Sequence, residues 1–139
     1  MNTQEFQQAW QAGRRDFRGV DLSGVDLGVA YVTGGEGSTR QSIAGANFEN
    51  ANLTSAHLSN ANLSNAILTN AVLTGVNLTA TEWLGANLGG ARLGTTVLVS
   101  TDLRSANLTD ANLLGATGTP ILANAVFKNT TMPDGTIRN

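Results

Sequence analysis

A solenoid, a chain wound into stacked coils around one narrow core, is what this sequence predicts, and two observations carry the prediction. The first is a strict five-residue period. From Phe48 a large apolar residue returns at Leu53, Leu58 and every fifth position to Leu113, with Trp83 standing in one of these places. The second is the frame around each apolar residue, as in Ala46-Asn47-Phe48-Glu49-Asn50. A small residue stands two places before it, Asn often directly before it, and two residues, mostly small and polar, follow.

Neither ordinary element suits that period. Five residues turn an α-helix by about 500°, so leucines at this spacing spiral around it without forming a stripe. Along a flat strand an odd step sends successive leucines to opposite faces. A chain that turns a corner about every five residues points every leucine at one axis. Asn, Ser, Thr and Gly after the leucine are corner formers, and the small residue two places before it also faces inward, where little space remains. Stacking such coils buries a continuous core.

The Ala-Asn-Leu-x-x pattern resembles that of the pentapeptide repeat proteins, over roughly Phe17 to Ile137. The resemblance implies an all-β solenoid, a right-handed quadrilateral β-helix with four pentapeptides per coil and a short N-terminal capping α-helix. In that family the central apolar residue and the small residue two before it point inward, and the other three point to solvent. Counting two irregular slots, the chain holds 25 slots, or about six coils. At the spacing of neighbouring strands the stack is about 30 Å long.

Residues 1–13 are read as the capping helix and 14–139 as the β-helix. Thr3 is the expected N-cap, Phe6, Ala9 and Trp10 form the apolar face, and Gly13 ends the helix. Phe6 and Trp10 are assigned to covering the first coil, whose open edge would otherwise invite association. Arg14, Arg15 and Arg18, with Asp16 and Asp21 beside them, read as a solvated entry. Phe17, Leu22, Leu27 and Val32 are the inward residues of the first coil.

The repeat is interrupted twice, near 33–42 (Gly34-Gly35-Glu36-Gly37-Ser38-Thr39-Arg40) and at 117–120 (Thr117-Gly118-Thr119-Pro120). Val32 to Ile43 is 11 residues, one more than two repeats, and Leu113 to Leu122 is nine, one fewer. Four slots per coil then place Phe17, the first interruption, Leu58, Leu78, Leu98, the second interruption and Ile137 on one wall. Leu27 falls in line with Phe48 and Val32 with Leu53. Trp83 is expected in the core with Thr81 as partner for its indole N–H, outward rotation being the competing arrangement. Pro133-Asp134-Gly135 reads as a turn in a tail that barely closes the last coil.

Composition bounds the function. At 139 residues the chain is one domain, its charged fraction of 13% is low, and a net charge of −2 gives no case for binding nucleic acid or anionic membrane. It lacks cysteine, and its one histidine, His57, reads as solvated. Neither metal-ligand spacing nor convergent catalytic groups occur, so no cofactor, metal or enzymatic activity is expected. Glu82, Asp102 and Arg104 read as a surface charge cluster. The Gly-rich run lacks the lysine of a phosphate loop. Asn52, Asn62, Asn77 and Asn107 match glycosylation acceptors only because the repeat generates that spacing. The first residues lack the basic and apolar regions of a signal peptide, and no apolar run spans a membrane. A cytoplasmic location is expected, or the thylakoid lumen if a targeting segment has been removed.

The expected role is a structural or protein-interaction module with an unidentified protein partner, monomeric or weakly associated end to end. The candidate surface is the wall carrying both interruptions, with His57, Asn77, Val97 and Val99. The resemblance, to a family known mostly from bacteria and numerous in photosynthetic ones, implies one alternative, a duplex-DNA mimic that inhibits a DNA topoisomerase. The outward slots, mainly Asn, Ser, Thr and Gly, lack the dense negative charge that such mimicry needs.

Overall fold

A computed structural model describes residues 1–27, 29–30, 39–40 and 42–139. After one helix, α1 (Thr3–Gln11), the chain winds into coils joined by parallel bridges. Within the uninterrupted region the bridged residues stand 20 apart, as in Asn47–Ile67–Asn87–Asn107, so four pentapeptides complete one coil. Among the described residues the bridges form four walls. Wall 1 runs Asp16–Asn47–Ile67–Asn87–Asn107–Val126 and wall 2 Asp21–Asn52–Val72–Arg92–Asn112–Thr131. Wall 3 runs Asp26–His57–Asn77–Val97–Thr117, and wall 4 Ser42–Asn62–Glu82–Asp102–Ile121.

Local chemistry explains each side of the coil. Phe48 accepts a 2.9 Å hydrogen bond at its carbonyl from the Ala51 N–H, closing a four-residue turn, and Asn50 in that turn has φ of 59°. A left-handed third residue is what a type II turn requires. Between coils the Leu88 N–H donates to the Asn107 carbonyl at 2.8 Å and the Asn107 N–H to the Ala86 carbonyl at 2.9 Å. The apolar residues at every fifth position from Phe48 to Leu113 are all buried, as are Ala46, Ala51 and most of their counterparts.

The outward Asn does more than face water. Asn87 is half-buried, and its Oδ1 accepts from the Gly89 N–H and from Asn107 Nδ2, both at 3.1 Å. Asn52 and Asn77 accept from the N–H and the hydroxyl of Thr54 and Thr79 respectively. The apparent glycosylation triplets are thus turn hydrogen bonds.

Trp83 is fully buried, and its Nε1 donates to Thr81 Oγ1 at 2.7 Å. That hydroxyl donates to the Leu78 carbonyl at 2.6 Å, which also accepts from Thr101 Oγ1 at 2.8 Å. Threonine at two inward small slots therefore satisfies the indole without opening the core to solvent.

At the N-terminal end Asn2, not Thr3, is the N-cap. Its side chain accepts from the Glu5 N–H, and Glu5 accepts from the Asn2 N–H, a reciprocal capping box. Thr3 is the first helical residue, and its hydroxyl accepts from the Asp26 N–H at 3.0 Å. Phe6 is buried with its ring 4.8 Å from that of Phe17, which lies 5.6 Å from Phe48.

Three register expectations are overturned. Phe17 lies in line with Phe48, because Asp16 bridges Asn47; Leu27, not Phe17, stands beside Leu58, because Asp26 bridges His57. Likewise Leu22, not Val32, lines up with Leu53. The first interruption is therefore an excursion of 11 residues added to one coil, not one residue added to a pair of slots. It leaves as an antiparallel hairpin of β1 (Val29–Ala30) with β2 (Thr39–Arg40). Val32 and the glycine-rich run 34–38 lie outside the described residues. Ile137 is not inward either: β4 (Ile137–Arg138) folds back antiparallel on β3 (Thr130–Thr131), leaving Ile137 54% exposed.

Leu88→Ala is expected to destabilise by about 2–5 kcal/mol, and Asn87→Ser by about 1 kcal/mol for its lost hydrogen bond, read by thermal unfolding. The reverse order would overturn the inward and outward assignment. Thr81→Val should cost about 1–3 kcal/mol by orphaning the buried indole N–H; an unchanged melting point would show that the Trp83 bond contributes nothing.

Candidate interaction wall

His57, Asn77 and Val97 stack on wall 3, as the spacing requires inside an uninterrupted run. His57 and Asn77 are exposed and Val97 is half-buried. The rung between Asn77 and Val97 is tight, with the Leu78 N–H 2.9 Å from the Val97 carbonyl and the Val97 N–H 3.1 Å from the Val76 carbonyl. Ser59 adds a hydroxyl hydrogen bond of 3.4 Å to the Asn77 carbonyl. Val99 lies at the corner after this wall and is 47% exposed.

Both interruptions meet that same corner, between walls 3 and 4, rather than lying within a wall. The hairpin leaves after Leu27 and the chain rejoins wall 4 at Ser42. At the other end Thr117 on wall 3 is only four residues from Ile121 on wall 4, where Val97 to Asp102 takes five. Gly118 makes this shortcut possible. Its φ is 98°, and a Cβ there would lie 2.8 Å from the Leu98 carbonyl carbon and the Val99 nitrogen. The shortened corner thus presses directly on the backbone that carries Val99.

The charged groups are tied down elsewhere. On wall 4, Arg104 closes a bidentate pair on Asp102, with Nη2 to Oδ2 at 2.7 Å and Nε to Oδ1 at 2.9 Å. Arg18 grips Asp16 in the same Asp-x-Arg geometry. Hydrogen bonds from the arginine side chain lower both carboxyls, Asp16 from 3.8 to about 2. Glu82 bridges Asp102 in the coil below. At the N-terminal end Arg15 lies 3.6 Å over the Trp10 ring and donates to the Trp10 carbonyl, while Arg14 lies over Phe17. These two, with Arg18, Asp16, Glu49 and Asn50, line an open cleft of about 730 Å³.

Among the described residues, no group of three His, Asp or Glu side chains could hold a metal ion, and no helix is long and apolar enough to cross a membrane. Sequence reasoning grouped Arg104 with Asp102 and Arg18 with Asp16 but missed their bidentate pairing, whose signal is the i, i+2 spacing repeated at Asp16-Phe17-Arg18 and Asp102-Leu103-Arg104.

A family model for pentapeptide repeats matches eight copies, at residues 46–82 and 86–117. The chain is 30% identical to a pentapeptide repeat protein of Nostoc, alr5209, over 86% of this chain and 85% of that one, with a TM-score of 0.39. It is 22% identical to a pentapeptide repeat protein of the Arabidopsis thaliana thylakoid lumen, covering 93% and 73% of the two chains with a TM-score of 0.48. To QnrB1, a plasmid-mediated fluoroquinolone resistance protein, it is 21% identical over 83% of this chain and 64% of that one, with a TM-score of 0.35. No protein of curated function matches the sequence.

Because Asp16 and Asp102 have folded-state values below their ordinary ones, their contribution to stability is present above the ordinary carboxylate range and is lost as pH falls through the lowered values, about 2 for Asp16. The melting temperature should be flat from neutral pH down to that range and then drop. Asp102→Asn should shrink the drop; an identical acid limb in the variant would show that the Arg104 pair does not couple to folding.

Proposed function

Because the chain belongs to the pentapeptide repeat family, we propose that it is a structural, protein-binding module without enzymatic activity, a right-handed four-sided β-helix of about six coils that presents wall 3 to a protein partner. The alignment of His57, Asn77 and Val97 in one ladder, with Val99 exposed at the adjoining corner, is the observation that supports this reading. A row of polar and apolar side chains on a rigid backbone meets a partner with little ordering cost. The two altered corners stand at opposite ends of that row and would set its limits. Duplex-DNA mimicry is the less supported reading, since Asp16 and Asp102 are each matched by an arginine and the wall itself carries no run of acids. The cytoplasm is the simplest compartment for such a module, with the thylakoid lumen as the alternative.

The test is capture of partners from native lysate by the full chain and by Val97→Lys and Val99→Lys variants. A specific protein retained by the parent and lost at least tenfold from both variants supports wall 3. Equal retention by all three would remove this wall from consideration.

A further inference from the structure

Arg14 and Arg15 stand where α1 hands the chain to wall 1, and the backbone there is pinned on both sides. The Arg14 N–H donates to the Ala9 carbonyl at 2.9 Å, and the Arg15 carbonyl accepts from the Asn47 N–H at 2.8 Å. Each guanidinium is fixed as well. Arg14 lies 4.8 Å over the Phe17 ring and donates through Nε to the Asp16 carbonyl at 2.7 Å. Arg15 lies 3.6 Å over the Trp10 ring and donates through Nη1 to the Trp10 and Arg14 carbonyls, both at 2.9 Å. Holding a last-turn carbonyl of α1 therefore occupies one nitrogen of Arg15 and none of Arg14.

Among the described residues, neither arginine forms an ion pair with a carboxylate. An aromatic ring takes the face of a guanidinium, whose N–H donors lie in its plane, so the edges stay available. Both Nη groups of Arg14, and Nε and Nη2 of Arg15, meet no acceptor among the described residues. The two side chains line one cleft of about 730 Å³ with Arg18, Asp16, Glu49 and Asn50. Arg18 commits its Nε and Nη2 to Asp16. Glu49 belongs to the same corner one coil on, where its carbonyl accepts from the Gly19 N–H at 2.8 Å. Its carboxylate is the other negative group of the cleft, which thus sets three guanidiniums against two carboxylates.

We propose that this cleft binds the phosphate group of a small molecule, free phosphate or a phosphate monoester, with Arg14 and Arg15 each presenting a guanidinium edge to its oxygens. Two features select phosphate. Planar forks fixed in advance suit an anion with several oxygens, which arginine meets through two parallel N–H···O bonds. A phosphate monoester also carries about 1.5 to 2 negative charges at neutral pH, a match for two arginines that no carboxylate pairs with, whereas a carboxylate ligand brings one. Because rings and carbonyls already hold both side chains, binding orders little that was loose. The site lies at the N-terminal end of wall 1 and does not depend on wall 3.

The test titrates inorganic phosphate, glycerol phosphate and acetate separately into the full chain, at an ionic strength held constant with chloride, and follows the arginine Nε–H resonances by nuclear magnetic resonance. Saturable shifts at Arg14 and Arg15 are expected for phosphate, with a Kd of about 1 mM or below. Acetate should bind about tenfold more weakly, and Arg92, exposed on wall 2, should not respond. Glycerol phosphate binding more tightly than inorganic phosphate would assign the ester as the ligand, and the reverse order would assign the free ion. Arg14→Gln combined with Arg15→Gln should weaken phosphate about tenfold or more. Since both side chains also steady the end of α1, Glu49→Gln supplies the independent check: removing the opposing charge should tighten phosphate about threefold. No saturation, acetate bound as well as phosphate, Arg92 shifting in step, undiminished binding by the double variant, or no tightening by Glu49→Gln would each overturn the proposal.

Discussion

At the regular corners among the described residues the third residue of the turn takes a positive φ, between 52° and 74°, and this is what closes each coil. For an ordinary L-residue that conformation costs roughly 1–2 kcal/mol, while Gly escapes the cost and Asn or Asp tolerates it best. The demand recurs every five residues, and it selects Gly at Gly45, Gly75 and Gly85 and Asn at Asn50, Asn60, Asn65 and Asn70. Composition is thus a consequence of turning corners. At Ala80 and Thr95 the same conformation is taken by residues poorly suited to it. There the flanking rungs hold it: the Ala80 N–H donates to the Val99 carbonyl and the Thr95 N–H to the Leu114 carbonyl.

The interior was legible from the period alone, because a buried position every fifth residue has few physical explanations. Phe48 to Leu113 all point inward, and even Trp83 with its Thr81 partner follows from size and hydrogen-bonding need. Alignment of His57 with Asn77 and Val97 was legible for the same reason, being internal to a regular run. Register across the first interruption was not. A count of 11 residues is equally a slightly long pair of slots or a hairpin leaving the coil, and what separates them is the pairing of β1 with β2 and of Asp26 with His57. At Ile137 the period continued on paper while the backbone reversed, Ile137 pairing antiparallel with Thr131.

The outward Asn shows a different limit. Solvent exposure was inferred from the slot, yet Asn87 and Asn107 are half-buried and joined to each other between coils. A side-chain amide supplies both a donor and an acceptor, so one residue type serves the turn below and the rung above. Periodicity records that Asn is frequent at this slot; only geometry shows that it is holding both. The Asp-x-Arg pairs use the same slot with a charge added, Asp102 accepting the Arg104 N–H as Asn87 accepts that of Gly89.

The two tryptophans sit in different parts of this architecture. Trp10 stacks beside Phe6 on the helix that closes one end, half-buried under the Arg15 guanidinium, while Trp83 is sealed in the middle coils. One indole therefore emits from the lid and the other from the centre of the barrel. Intrinsic fluorescence of single-tryptophan forms would report separately whether the lid lifts before the centre melts, an optical record of where along the axis unfolding starts.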